Sequence, residues 1–479
     1  LNIPEAVVAR LAPTWDDLRE ELQVPQAFPP AAQAEAEAAA KRSHRPALDR
    51  TDLPFFTVDP EGSRDLDQAI ALERRGDGYR IFYAIADVGA FVRPGGALDA
   101  EAHRRGVTLY APDRNVPLHP PVLGEGAASL LPDQARPSLL WSMDLNGAGE
   151  PGEVDVVRAL VRSRRQLAYP GVQAALDAGT ADEQLLLLRE VGRLRQERAA
   201  ERGAVDLPTP EQEVFDGADG RPCLTFRAPR PAEGWNAQIS LLTGMAAARI
   251  MLDGRIGLLR TLPPPPAAEV ASVRRSALAL GIPWPENAGY AAVISALDPT
   301  VGEAAALLTY AGRLLRGAAY TAFDGVAPGQ PIHSAVAAPY AHCTAPLRRL
   351  ADRYVGEICL AVVAGQDVPV WCREALPGLS AAMAAAEQRS HALERAVVDL
   401  AEALVFQARV GESFDAVVVE SGSAHGIIQL RDPAVRASCF APDLPLGQPL
   451  RVRLDGVDLA RRAVRFVPDD AGVPFSPSR

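Results

Sequence analysis

The densest group of side chains able to do chemistry is Thr57-Val58-Asp59-Pro60-Glu61-Gly62-Ser63-Arg64-Asp65-Leu66-Asp67-Gln68-Ala69. Its carboxylates sit at the end of one apolar segment and in the polar stretch that leads into the next, so Asp59, Asp65 and Asp67 are placed to converge. Three carboxylates held close together repel one another unless a cation lies among them. Hard oxygen ligands of this kind suit Mg2+, with Mn2+ as a substitute. Such a cation activates water and neutralises phosphate, the two requirements of phosphodiester hydrolysis. An isolated D-x5-D-x-D run is more often an acidic solvated loop, so the acids need corroboration from the rest of the chain. An EF-hand is excluded, because Gly62 precedes the Asp pair and no Glu closes a loop of that type.

The elements that must position these acids read as strands first and helices later. Phe55 to Val58, Ala69 to Glu73 and Tyr79 to Ala86 have the texture of short strands, separated by the acidic loop and a Gly-Asp-Gly turn. Asp182 to Arg202 carries Leu187, Leu188, Val191 and Leu194 at helical spacing, and Ala237 to Leu252, Glu303 to Arg316, Arg348 to Val363 and Ser380 to Ala408 are helical by the same test. The fold class is therefore α+β, a large mixed domain that is β-rich at its start and helical later. Ahead of it, Ile3 to Leu22 (with Trp15 and Leu18 on the apolar side) and Ala31 to Ala40 form a short N-terminal helical module or a helical extension packed on the next domain. After Gly411, five short segments fit a small OB barrel: Phe414 to Glu420, Gly426 to Leu430, Ala437 to Phe440, Pro449 to Leu454 and Ala463 to Val467. The expected division is 1–50 helical, 51–408 catalytic, 409–468 OB barrel for RNA binding and 469–479 a disordered tail.

Composition narrows the classes. The chain has 479 residues, 48% of them hydrophobic, and a net charge of -11, which argues against a general electrostatic grip on a polyanion. Nucleic-acid contact, if present, must be local. Five widely scattered cysteines, in no Cys/His set of metal-ligand spacing, argue against a disulfide framework and a structural zinc site. No apolar run is long enough to span a bilayer and no signal pattern opens the chain, so a cytoplasmic location with no membrane contact is the default. The first residue is Leu1 rather than Met, which leaves room for a segment upstream.

The corroboration lies in further blocks. Ala84-Ile85-Ala86-Asp87-Val88 is followed by Leu98-Asp99-Ala100-Glu101-Ala102 with Arg105-Gly106, then by Leu109-Tyr110-Ala111-Pro112-Asp113-Arg114-Asn115-Val116-Pro117 and Ser129-Leu130-Leu131-Pro132. Tyr340-Ala341-His342-Cys343-Thr344-Ala345-Pro346-Leu347-Arg348-Arg349-Leu350-Ala351-Asp352 comes last. This ordered set, with the aspartate run, resembles the ribonuclease II/R family from about Arg50 to Ala408, and the terminal segment is similar to the ribosomal-type OB domain that ends many members. The resemblance implies a Mg2+-dependent hydrolase, a 3'-to-5' exoribonuclease that degrades single-stranded RNA to nucleoside 5'-monophosphates as a monomer without a protein partner. It implies Asp59, Asp65 and Asp67 as catalytic metal ligands and Arg348 as the group that stabilises charge on the phosphate and its leaving oxygen. Tyr110 is then set against the 3'-terminal nucleotide, Tyr169 lines the RNA path, Phe215 is a second clamp, and Arg349 and Glu394 stand near the RNA.

Each residue also has a plainer reading. Tyr110 and Tyr169 suit packing, Arg348 and Arg349 could pair with Asp352, His342 has no ligand spacing, and the runs Arg162-Ser163-Arg164-Arg165 and Arg461-Arg462 suit a solvated face. One position departs from the family: a fourth aspartate usually follows the third, and this chain has Gln68. A carboxamide keeps an oxygen ligand for the metal but loses a charge, so a second metal is expected to bind more weakly. Family members usually carry cold-shock-type OB domains ahead of the catalytic one, and about 50 residues leave no room for a complete copy here. The alternatives are a catalytically weakened relative acting as an RNA-binding regulator or scaffold, and a phosphodiesterase acting on short nucleotides or DNA.

Overall fold

The computed structural model describes residues 12–208, 211–216, 222–299, 301–430 and 435–469. Its centre is a seven-stranded sheet formed by β1 (Leu48–Asp49), β2 (Phe56–Asp59), β3 (Gln68–Arg75), β4 (Gly78–Ala86), β5 (Ala135–Leu145), β6 (Pro151–Arg162) and β7 (Arg165–Ala168). The spatial order is β1-β6-β5-β4-β3-β2-β7, with β1 parallel to β6, β2 parallel to β7 and the other pairs antiparallel. β4 is buried along nearly its whole length, because both faces of the sheet are covered. On one face Ile70, Leu72, Ile81, Tyr83, Trp141 and Met143 pack with the helices Glu183–Glu201, Pro231–Asp253 and Leu350–Val363. On the other, Ala69, Ala71, Phe82, Ala84, Leu140 and Val161 pack with Ala36, Ala39 and Leu98 from the helices Pro30–Ala40 and Ala97–Arg105. Successive strand residues point to opposite faces, so two cores follow from one alternating sequence.

The C-terminal segment closes into a five-stranded barrel from Ser413–Glu420, Gly426–Leu430, Arg436–Cys439, Pro449–Asp458 and Ala463–Pro468. Its core does not stop at the barrel. Phe414 and Phe466 meet Phe406 of the long helix Val370–Gln407, and the same cluster takes in Trp15 and Leu18 of the helix Ala12–Glu21 together with Leu109 and Val116. Arg462 on the barrel pairs with Glu21 at 2.9 Å, and Arg19 pairs with Asp113. The N-terminal helix thus packs against both the barrel and the loop that carries Tyr110.

The long helix begins ten residues earlier than its periodicity suggested, at Val370 instead of Ser380, and includes Pro377. Pro377 lies two turns inside the helix, so it gives up the backbone bond to the carbonyl four residues earlier. Of the helical stretch expected over Ile3 to Leu22, the part up to Leu11 lies outside the described residues, as does the expected tail after Asp469. Among the described residues, no helix is long and apolar enough to cross a membrane.

Candidate active site

β2 ends on Asp59 and β3 begins on Gln68, so the acidic run is the connection between two paired strands. Gly62 supplies a positive φ of 81° at its tip. The loop is braced from outside. Ser129 Oγ donates to the Arg64 carbonyl at 2.6 Å and accepts the Leu66 N–H at 2.9 Å, the Leu130 N–H donates to the Leu66 carbonyl, and Gln166 Nε2 donates to the Ser63 carbonyl at 2.7 Å. The resemblance block at Ser129-Leu130 therefore has a physical purpose: it holds the acidic loop.

The facing wall is the turn before the helix Leu350–Val363. Asp352, in the first turn of that helix, accepts the Ala345 N–H at 2.7 Å and two guanidinium nitrogens of Arg349 at 2.8 and 3.0 Å. Arg349 is thereby committed to Asp352, and Arg348 projects away with its Nε 3.5 Å from Asp67 Oδ2. The helix does not open on these two arginines, since Arg349 is its cap and Arg348 lies outside it. Two bonds join this turn to the acidic strand: the Leu347 N–H donates to Asp67 Oδ1 at 2.7 Å, and Gln68 Nε2 donates to the Thr344 carbonyl at 2.7 Å.

Asp59, Asp65, Asp67, Gln68, Tyr110, Tyr169 and Arg348 line a single cavity of about 260 Å³, with Val58, Pro60 and Ser63. Tyr110 is 46% exposed, so its ring is free to stack and is not a core residue. Tyr169 is half-buried, and its hydroxyl accepts from Asn236 at 3.0 Å. Glu394 does not line the cavity; it is exposed on the long helix and accepts from Ser390 at 2.8 Å. Phe215 falls in the strand Glu211–Asp216, where side chains lie outside the described residues. His342 is neutral and packed, with its Nδ1 2.7 Å from the Tyr320 hydroxyl, and burial holds it well below the usual imidazole range.

The acids are short of compensation. Asp67 is 4% exposed, and burial pushes its carboxyl up to about 8 despite Arg348 and the Leu347 N–H. Burial likewise raises Asp59 to about 6, and its Oδ2 is buried without a hydrogen-bond partner. Among the described residues, no three His, Cys, Asp or Glu side chains close into a preformed metal cage. The donor set still fits a Mg2+-type cation, which keeps several waters and takes one or two carboxylates plus phosphate oxygens. An unpartnered buried carboxylate oxygen beside a second desolvated carboxyl is relieved by such an ion.

Gln68 has a different position from the one expected of a metal ligand. Its Oε1 accepts the Tyr83 hydroxyl at 2.7 Å, a hydroxyl that also lies 2.7 Å from Ser240 Oγ, while its Nε2 holds Thr344. Both ends of the amide are thus engaged by the protein. Tyr83, Ser129 and Thr344 are supporting residues to which sequence reasoning gave no role, whereas Arg349 takes its plainer reading, the pair with Asp352.

On the barrel, Arg451 pairs with Asp415 at 2.9 Å and Arg465 with Asp455 at 3.2 Å, so these arginines are already compensated. Phe440 is exposed there, with Arg465 5.0 Å and the His425 ring 5.8 Å from its ring centroid.

Comparison with known proteins agrees with this geometry. Residues 48–365 match the RNB domain and residues 412–469 match the RNase II-type exonuclease C-terminal S1 domain. The chain is 29% identical over 321 residues to ribonuclease R of Escherichia coli (strain K12), covering 64% of this chain and 39% of that protein. It therefore spans well under two thirds of that relative's length. The structure of Mycoplasma genitalium RNase R in complex with ribose methylated single-stranded RNA superposes with a TM-score of 0.81 at 19% identity, over 94% of this chain and 77% of that one. The structure of yeast Ssd1, a pseudonuclease, superposes with a TM-score of 0.62 at 17% identity, over 91% and 53%.

Proposed function

This chain belongs to the RNB-domain ribonuclease family, and on that premise we propose that it is a Mg2+-dependent 3'-to-5' exoribonuclease that shortens single-stranded RNA to nucleoside 5'-monophosphates. The observation that carries the reading is the convergence, in one 260 Å³ cavity, of Asp59, Asp65 and Asp67 from one side with Arg348 and Tyr110 from the other. A bound Mg2+ supplies activated water and a counter-charge for the scissile phosphate. Asp59, Asp65 and Asp67 are the residues that hold it.

The protein's own groups do the rest. The exposed Tyr110 ring stacks on the terminal base, a contact worth about 1–3 kcal/mol per base in such sites. The Arg348 guanidinium, held over Asp67 by the Asp352-braced turn, neutralises charge as it grows on the phosphate oxygens. Arg349 serves as a support for that turn and makes no RNA contact of its own. Gln68 ties the acidic strand to the same turn and is not required as a ligand. The exposed Phe440 on the barrel offers a second stacking surface where the strand approaches.

A second reading, an RNA-binding relative without hydrolysis, is favoured by one observation: Gln68 stands at a family carboxylate position, and the fold is shared with a protein described as a pseudonuclease. A denaturing-gel time course separates the two. A 5'-labelled single-stranded RNA, with a matched DNA control, is incubated with Mg2+ or EDTA. Progressive shortening of RNA alone, dependent on Mg2+ and abolished in Asp67→Asn, is the expected result. RNA that is retained in a filter-binding assay but never shortened leaves the binding reading.

A further inference from the structure

A larger cavity, about 670 Å³, shares no lining residue with the acidic one. It lies between the β5–β6 turn and the helices Glu183–Glu201 and Pro231–Asp253. Leu242, Met245, Ala246 and Ile250 form its apolar floor. Its volume is in the range of small-molecule sites, as is the mixture of an apolar lining with a few placed polar groups.

The charged groups of the lining are four arginines against three acids, of which Glu150 accepts from Asn146 at 2.8 Å. Arg198 pairs with Glu201 at 2.5 Å, and Arg249 lies 3.9 Å from Asp253. Arg195 and Arg202 have no carboxylate partner among the described residues. Arg195 is 2% exposed; its Nη1 donates to the Gly149 carbonyl at 2.8 Å, and its Nε is buried with no partner. Arg202 donates only to carbonyls, of Val336 at 3.1 Å and Arg198 at 3.2 Å. A guanidinium buried against neutral carbonyls keeps an uncompensated charge, which is costly unless an anion completes the site. Two planar guanidinium forks in the lining of one cavity match a doubly charged oxyanion better than a carboxylate.

We propose that this cavity binds a small organic phosphate of nucleotide size, its phosphate held by Arg195 and Arg202 and its organic body lying on the floor of Leu242, Met245, Ala246 and Ile250. The site does not depend on the reaction proposed for the acidic cavity. Bound there, the ligand joins the β5–β6 turn to both helices that back the sheet.

The probe is 5'-AMP, followed by titration calorimetry in EDTA on the intact chain, with adenosine and inorganic phosphate as half-ligands. Saturable one-to-one binding of 5'-AMP is expected, unchanged in Arg348→Ala, and on the order of tenfold tighter than binding of either half-ligand. Arg202→Gln removes one fork and Ala246→Trp fills the floor; each is expected to weaken 5'-AMP by roughly tenfold or more while the melting temperature of the free protein holds. Because the two variants alter different helices of the cavity wall, a folding defect in one leaves the other informative. Absence of 5'-AMP binding at millimolar concentration overturns the proposal. So does binding lost in Arg348→Ala, which locates the nucleotide in the acidic cavity, or binding indifferent to both cavity variants.

Discussion

The acidic cavity and the arginine-walled cavity each bury charged groups that lack partners, and the chemistry of the two groups makes them resolve the cost differently. A carboxyl can take up a proton: Asp67 and Asp59, raised by burial to about 8 and about 6, become neutral as pH falls and recover their charge when a cation arrives. A guanidinium has no such exit. Burial and the neighbouring Arg202 and Arg198 push Arg195 down only to about 10, so it stays cationic at neutral pH and turns to the Gly149 carbonyl instead. One cavity waits with protons to release, the other with charge to share.

The largest expected effect breaks the acidic side. Asp67→Asn is expected to lower the rate of Mg2+-dependent RNA shortening by roughly a thousandfold or more, measured in single-turnover assays. Arg348→Ala is expected to cost about a hundredfold or more in kcat, as loss of one transition-state charge partner does. The same comparison predicts an opposite effect on stability. Because the folded Asp67 carboxyl titrates near 8 against the usual 3.8, the folded state holds a proton that the unfolded state has lost between those values, so stability in EDTA falls as pH rises through that window. Asp67→Asn is therefore expected to raise the melting temperature in EDTA at pH 8 and to leave it nearly unchanged at pH 4. A lower melting temperature at both values contradicts the account of Asp67 as a desolvated acid.

Next in size is Tyr110→Ala, expected to raise KM for single-stranded RNA by roughly ten- to a hundredfold with a smaller change in kcat, from loss of one stacked base. Gln68→Ala follows. It removes the donor to Thr344 and the acceptor for Tyr83, and about 1–3 kcal/mol of stability should be lost, read by denaturant titration. The smallest effect belongs to the other cavity: Arg195→Met is expected to change ligand-free stability by less than about 2 kcal/mol, or to raise it, since an apolar side chain there ends an uncompensated burial. A loss much larger than that shows that the Gly149 bond, and not the charge, dominates that cavity.

The strands around the acids were legible because alternation and turn residues are local signals: β2, β3 and β4 begin and end within two residues of their expected limits. The acidic run, Tyr110 and Arg348 were legible as an ordered set. What was not legible is the support. The bonds Ser129–Leu66, Gln68–Thr344 and Leu347–Asp67 join residues 63, 276 and 280 positions apart, and nothing in a local pattern records such pairings. The engagement of Gln68 was hidden for that reason, since a carboxamide read alone is an oxygen ligand, while in the fold both its ends have protein partners. The opposite assignment of Arg348 and Arg349 was equally hidden, because Asp352 lies within reach of either along the helix and only the turn decides between them. The arginine-walled cavity gave no signal at all: its cations are spread over the helix Glu183–Glu201, its cap and the helix Pro231–Asp253, and look like a solvated face.

The shared core that joins Phe414 and Phe466 of the barrel to Trp15, Leu109 and Val116 has a metric consequence. Leu109 precedes Tyr110 directly, so the ring at the cavity and the Phe440 face of the barrel are mounted on one packed body. Their separation acts as a fixed ruler. On the RNA path proposed above, a strand long enough to reach both rings would be gripped twice and a shorter one once, which predicts release at a set length and not by gradual weakening. Lengthening the ruler, by loosening Trp15 or cutting the Arg462–Glu21 pair, should blur the size of the final fragment before it alters the chemistry that makes it.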